Sequence, residues 1–263
     1  MHTRESLQQD LRNMGILPED TLLIHSSLKS IGEVEGRGEG VVRALMDYFA
    51  DSGLLVMPVL TYDRKADGDP VFDVLNTPSI VGMLGNLFRA QPGVVRSWHP
   101  THSLAAFGRD AEAFTEGHEK FDTPAARQSP WGRLIDRKAK ILFIGCSISH
   151  NTFLHGIEEQ NNVPMVVTDD PEMLYVITPD GRKITVPSRR HQNNHSQYYA
   201  KMGTVFQQCG LMTDGSFGDA DCKLLDAAGV AELMADLLLQ DPYLFRHDRV
   251  PESYLDILLR KKK

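Results

Sequence analysis

The chain has 263 residues, 41% hydrophobic and 24% charged, with a net charge of -7. This is ordinary globular composition with length for a sizeable core, and its acidic balance argues against a nucleic-acid binder, which needs a clustered basic face. Three cysteines, Cys146, Cys209 and Cys222, with no C-x-x-C spacing argue against a disulfide framework or a thiolate zinc site. No apolar run approaches the ~18 residues of a membrane span, and residues 1–7 hold no signal-peptide core, so the expected location is cytoplasmic.

Residues 3–15 read as a helix capped by Thr3, with Leu7, Leu11 and Met14 at helical spacing. Residues 21–25 form a first strand, and 26–32 a turn-rich loop. A stripe of Val41, Val42, Leu45, Met46 and Phe49 predicts a helix over 38–52; Gly53 ends it before a second buried strand over 54–60. Strand, helix, strand is a βαβ unit, so the two strands are expected to be parallel. Thr77-Pro78-Ser79 starts a helix running to about Ala90. Residues 103–108 are a small-residue strand, 109–118 a short helix and 124–134 a loop with one helical turn.

The run Ile141-Leu-Phe-Ile-Gly145 is a buried strand, and Asn151 or Thr152 caps the helix after it. Residues 163–168 and 173–178 are strand-like, and the turn at 178–181 returns the chain along 183–187 as an antiparallel hairpin. A helix over 192–209 ends at Gly210, a short strand covers 223–225, and an amphipathic helix over 226–240 stops at Asp241-Pro242. Together these predict one mixed α/β domain over 1–263. It has a largely parallel central sheet covered by helices and an antiparallel hairpin region in its C-terminal half.

His155 and Glu158 fall three apart on one helix face, after a strand end. Open α/β sheets bind ligands at such strand ends, and a His oriented by a carboxylate is a general base. The loop Ser26-Ser27-Leu28-Lys29 offers hydroxyls, an ammonium and backbone N–H groups that suit a phosphate, equally a plain turn. No Walker loop or Gly-x-Ser-x-Gly elbow is present. Arg96-Ser97-x-His99-x-x-His102-Ser103 is a polar turn; with His25 and His155 it leaves open a metal-dependent hydrolase. Tyr62-Asp63-x-x-x-Asp67-x-Asp69 is either an acidic rim or a solvated loop.

An ordered series of segments resembles the aminoglycoside 3-N-acetyltransferase family over about residues 5–245. It comprises His25-Ser-Ser-Leu-x-x-x-Gly32, Leu55-Val-Met-Pro58-x-x-Thr61, Phe72-Asp73 and Thr77-Pro78-Ser79-x-x-Gly82. Next comes the longest stretch, Pro92-Gly-Val-x-Arg96-Ser97-x-His99-Pro100-x-His102-Ser103-x-x-Ala106-x-Gly108. Ser129-Pro130-Trp131-Gly132-x-Leu134, Asn151-Thr152-x-Leu154-His155-x-x-Glu158 and Gly215-Ser-Phe-Gly218-x-Ala220 complete it.

The resemblance implies acetyl transfer from acetyl-CoA to the 3-amino group of an aminoglycoside, without a metal and on a fold other than that of the GNAT acetyltransferases. It gives His155 the role of base and Glu158 that of orienting acid. It implies that Ser26, Ser27, Leu28 and Lys29 hold the pantetheine and phosphate arm, while Arg96, Ser97, His102 and Ser103 border the thioester. Backbone N–H groups or His102 would stabilise the oxyanion. Tyr62, Asp63, Asp67, Glu159 and His191 would line the acceptor pocket. The basic residues Arg182, Lys183, Arg189 and Arg190 sit uneasily with a polycationic acceptor and leave another small-molecule amine open. Expected partners are CoA and the amine, with no nucleic acid and no membrane; a homodimer is left open.

Overall fold

The computed structural model describes residues 1–50, 52–61, 71–250, 252 and 254–256. Thr3 begins α1 (Arg4–Asn13) with a reciprocal cap: its side chain accepts from the Ser6 N–H, and Ser6 accepts from the Thr3 N–H. β1 (Thr21–Ser26), a 3-10 turn (Leu28–Ile31), α2 (Arg37–Phe49) and β2 (Leu54–Pro58) follow. Then come β3 (Val71–Asp73), α3 (Met83–Arg89), β4 (Val95–Arg96), β5 (Leu104–Gly108), α4 (Ala111–Thr115), α5 (Pro130–Asp136) and β6 (Lys140–Ile144). α6 (Thr152–Gln160), β7 (Glu172–Ile177), β8 (Lys183–Ser188), α7 (Met202–Gln208), β9 (Met212–Phe217), β10 (Ala220–Asp226) and α8 (Ala227–Gln240) complete the order.

Among the described residues the main sheet has seven strands, in the order β4-β5-β2-β1-β6-β10-β9. β1 pairs in parallel with β2 on one side and β6 on the other. β5 and β10 run against this centre, and β4 and β9 reverse again, so β4, β2, β1, β6 and β9 share one direction. The central strands are apolar on both faces, as strands covered twice must be. Leu22, Ile24, Leu55, Met57 and Leu142 pack with Leu7, Val41, Phe49 and Phe88 from α1, α2 and α3. Leu23, Val56, Ile141 and Phe143 pack on the other side with Trp131 of α5, Phe153 and Ile157 of α6, and Leu233 of α8. The predicted hairpin is present as β7 and β8, joined in parallel by β3 in a second, three-stranded sheet.

Several elements differ from the sequence expectation for local reasons. Residues 163–168 form no strand: Pro164 has no N–H to donate and Met165 is left-handed at φ 58°, leaving the single bridge Val167–His191. The helix expected from 77 begins only at Met83, after Gly82 at φ 66°. The helix expected over 192–209 is broken at Asn193 and Asn194, both at positive φ; a 3-10 turn (His195–Lys201) precedes α7. β9, with the polar run Thr-Asp-Gly-Ser, has no apolar pattern and becomes a strand by pairing along β10 at the sheet edge.

Arg96 ties these layers together and is buried. Its Nε donates to Ser103 Oγ at 3.0 Å, Nη1 to the Thr77 carbonyl at 2.6 Å and Nη2 to the Val59 carbonyl at 2.8 Å. The guanidinium lies 4.6 Å from the Phe72 ring centre. Burial pushes its pKa down to about 9. Arg96→Met strips a donor from the Ser103 hydroxyl and from the Val74 and Thr77 carbonyls, each worth roughly 1–3 kcal/mol where buried, while the Val59 carbonyl keeps the Ser103 hydroxyl. We expect the melting temperature to fall by roughly 6–12 °C, measured by scanning calorimetry, with ligand affinity of the folded protein unchanged. An unchanged melting temperature would show that this network carries no stability.

Candidate active site

The carboxyl ends of β1, β2 and β6 open into a cavity of about 980 Å³, at the edge where parallel strands present their loops to ligands. His25, Ser26 and Ser27 line it from the end of β1, and Met57 and Pro58 from β2. Gly145 through Asn151, apart from buried Ile148, and then Thr152 and His155 line it beyond β6. Arg190, His191 and Gln192 form a further wall, with His191 against the His155 ring. Val167 bridges His191, and the Thr168 N–H donates to the Arg190 carbonyl, which hold that wall in place.

His155 projects from α6, and its side chain keeps 16% of its exposure. Its Nδ1 lies 2.6 Å from the Tyr199 hydroxyl, and Tyr199 donates its only proton to Glu158 Oε2. The phenol oxygen must therefore accept from His155 Nδ1–H. This fixes the tautomer and leaves Nε2 as the basic nitrogen for a ligand. Glu158 Oε2 stands 3.5 Å from His155 Nδ1, so the orienting carboxylate acts chiefly through the tyrosine. Its other oxygen accepts from His195 Nδ1 at 2.5 Å. Burial pushes the Glu158 carboxyl up, but His155, His195 and Tyr199 outweigh it and hold the group at about 2. Burial, with the Glu158 charge, pushes the Tyr199 phenol well above its usual range.

A second pair stands beside the first. His191 stacks on His155 with ring centres 4.3 Å apart and meets His102 edge-on at 4.9 Å. His191 Nε2 lies 2.5 Å from Glu159 Oε1, and the Ala125 N–H donates to that carboxyl at 3.0 Å. Glu159 thus sits behind His191 instead of on the cavity wall. Burial pushes Glu159 up to about 7 and pushes His191 well below the usual imidazole range.

The other expected residues divide by geometry. His102 lines the cavity, with Nδ1 2.9 Å from Thr101 Oγ1 and its carbonyl accepting from Trp131 Nε1 at 2.9 Å. Arg96, Ser97 and Ser103, expected to border the thioester, instead lie beneath the wall, fully engaged with one another, His118 and backbone groups. Of the loop after β1, Ser26 and Ser27 face the cavity, whereas Leu28 and the exposed Lys29 sit in the 3-10 turn outside its lining. Tyr62, Asp63 and Asp67 lie outside the described residues.

The basic stretch is largely paired locally: Arg182 with Asp180, Arg189 with Asp122, Arg190 with Glu172, and Lys183 over the Tyr175 ring. His25 stacks on Phe143, ring centres 4.8 Å apart. Among the described residues, no three His, Cys, Asp or Glu side chains converge to hold a metal ion, so His25, His99, His102 and His155 form no ligand set. No helix among them is long and apolar enough to cross a membrane. Sequence reasoning places the segment from His191 to His195 at the acceptor pocket but does not single out Tyr199, although its spacing of four from His195 is readable.

The chain is similar to known proteins over most of its length. The family described as aminoglycoside 3-N-acetyltransferase matches residues 23–239. Aminoglycoside N(3)-acetyltransferase III of Acinetobacter baumannii is 33% identical over 262 aligned positions, covering 88% of this chain and 89% of that protein. The SPbeta prophage-derived aminoglycoside N(3')-acetyltransferase-like protein YokD of Bacillus subtilis (strain 168) is 28% identical over 242, covering 84% and 87%. Among solved structures, a histidine-to-alanine variant of aminoglycoside acetyltransferase AAC(3)-IVa in complex with a gentamicin has a TM-score of 0.78 at 26% identity, covering 93% of this chain and 91% of that one. AAC-IIIb in a binary complex with CoASH has a TM-score of 0.81 at 24% identity, covering 91% and 97%. The architecture is that of the AAC(3) enzymes and not the GNAT fold.

The Glu159 carboxyl yields a pH prediction. Its folded pKa of about 7 lies above its ordinary 4.5, so its stabilising contribution is complete below about 4.5 and lost as pH rises through about 7. Glu159→Gln mimics the neutral form. We expect its melting temperature to gain on wild type between pH 5 and pH 8. A difference that is constant with pH, or that shrinks, would contradict the assignment.

Proposed function

The chain belongs to the aminoglycoside 3-N-acetyltransferase family and is an acyltransferase; from that premise we propose that it transfers an acetyl group from acetyl-CoA to the 3-amino group of an aminoglycoside, with His155 as general base. The observation that carries the reading is the His155–Tyr199–Glu158 chain on the wall of a cavity of substrate size. An aliphatic ammonium has no lone pair for attack, so a base must take its proton. His155 Nε2 is the nitrogen left for that work. As it takes the proton, the imidazolium is stabilised through Tyr199 by a carboxylate held ionised. Glu158 does not itself take the proton, and no side-chain nucleophile is required.

The donor fits the residues present. Ser26, Ser27, Ser147 and Ser149 line the cavity with hydroxyls, suited to the amides and phosphates of a pantetheine arm. In support, AAC-IIIb of the same fold was solved with CoASH. The acceptor is supported by the family and by the gentamicin complex of AAC(3)-IVa. One observation favours a second reading, an amine that is not polycationic: among the described residues lining the cavity, Arg190 is present and no carboxylate is. Acceptor charge separates the two: added positive charge lowers KM if the acceptor is a polycation, and an added anion lowers it if Arg190 holds the acceptor, each effect shrinking as salt screens it.

The experiment is a panel of amines with acetyl-CoA, followed by thiol release. An aminoglycoside with a free 3-amino group should react, and the same compound blocked there should not. Reaction of a smaller or anionic amine alone would move the acceptor to the second reading, and no reaction with any amine would end the proposal. His155→Ala should lose roughly 10²–10⁴ in kcat while CoASH still binds. Tyr199→Phe, which removes the partner orienting a working imidazole, should lose roughly 10–100-fold. Near-normal turnover of His155→Ala would exclude it as the base.

A further inference from the structure

Asn151 begins α6 but does not cap it: its side chain makes no bond to the first turn, where an asparagine at this position ordinarily accepts an N–H. The residue is fully buried, and neither Nδ2 nor Oδ1 has a hydrogen-bond partner. A buried amide with both groups unpaired opposes folding, so its use lies with something that enters the site. Asn151 lines the same cavity as His155. Asn151 is the cap position of α6, about one helical turn before His155, and the positive end of α6 lies at Asn151.

We propose that Asn151 is the oxyanion donor, its Nδ2–H binding the thioester carbonyl oxygen of the acetyl donor. This rests on the acetyl-transfer reading above. The ammonium loses one proton through His155 Nε2 to solvent; Nε2 then takes a second proton as the amine nitrogen bonds to the carbonyl carbon, and the π pair moves onto the oxygen held by Nδ2. That pair returns as the C–S bond breaks, and the departing thiolate takes the proton back from the His155 imidazolium. Oδ1 accepts the remaining N–H of the attacking amine. The match is reciprocal: oxygen and nitrogen of the tetrahedral centre are joined through one carbon, as are those of the asparagine amide. The bond from Nδ2 strengthens as charge develops, so it serves the transition state more than the bound ground state. Sequence pointed to backbone N–H groups or His102 for this task, and His102, with Nδ1 on Thr101 Oγ1, lines the same cavity.

The test compares Asn151→Ala and Asn151→Asp with wild type and His155→Ala, using acetyl-CoA and an amine that wild type acetylates. We expect kcat to fall by about 10²–10³-fold in Asn151→Ala and at least as far in Asn151→Asp, which keeps the shape but loses the donor. CoASH affinity and amine KM should stay within about threefold of wild type. The melting temperature of Asn151→Ala should equal or exceed that of wild type, because no bond is lost. A kcat within about threefold of wild type overturns the proposal. So does a loss of CoASH affinity as large as the loss of kcat, which would make Asn151 a ground-state contact. So does a lower melting temperature accounting for the lost activity. If His155→Ala is crippled while Asn151→Ala is not, the oxyanion assignment falls and the acetyl-transfer reading stands. If wild type acetylates no amine, both fall.

Discussion

Glu158 is a charged carboxylate with no exposure to solvent, and the site is arranged around satisfying it. An isolated charge at that depth is prohibitive unless paired and hydrogen-bonded. The chain supplies Tyr199 and His195 from one 3-10 turn, and His155 from the preceding turn of its own helix. The burial that threatens the carboxylate also excludes competing water from its partners. One consequence follows for chemistry. The tyrosine proton is committed to Glu158, so His155 must present Nδ1–H inward and the Nε2 lone pair outward.

The sheet decides where this arrangement can matter. Parallel pairing of β1 with β2 and β6 brings three strand ends to one edge, and the segments leaving them become the cavity walls. β6 runs into Gly145 at φ 60°, where an added Cβ would stand 2.3 Å from Ser30 Cβ. The chain there passes too close to the β1 loop for a side chain, and this turn leads on to Asn151 and His155. Behind the wall that carries His102, Trp131 holds the His102 carbonyl and Arg96 holds the Val59 and Thr77 carbonyls. Polar residues in this region are thus divided between those that face the cavity and those that fasten its backing.

That division explains what the sequence could and could not yield. His155 and Glu158 were legible because their spacing is local to one helix, and the βαβ reading of β1 and β2 needed only apolar runs and a helical stripe. The hairpin was legible from its turn. Arg96, Ser97 and Ser103 were not separable from His102 on sequence, since a polar side chain bonding a distant carbonyl looks the same as one awaiting a ligand. Tyr199 was hidden because Asn193 and Asn194 break the expected helix and set the register of the turn that aims it at Glu158. Asn151 resembled an ordinary cap; only its burial without partners separates it from one.

The tautomer of His155 is what the whole site turns on, and nitrogen NMR of the imidazole observes it directly. With the ring labelled, at a pH where it is neutral, we expect a protonated Nδ1 and a bare Nε2. Replacing Tyr199 by phenylalanine should weaken that preference. A neutral His155 carrying its proton on Nε2 would contradict the role of base, since the nitrogen facing the cavity would then have no lone pair to offer.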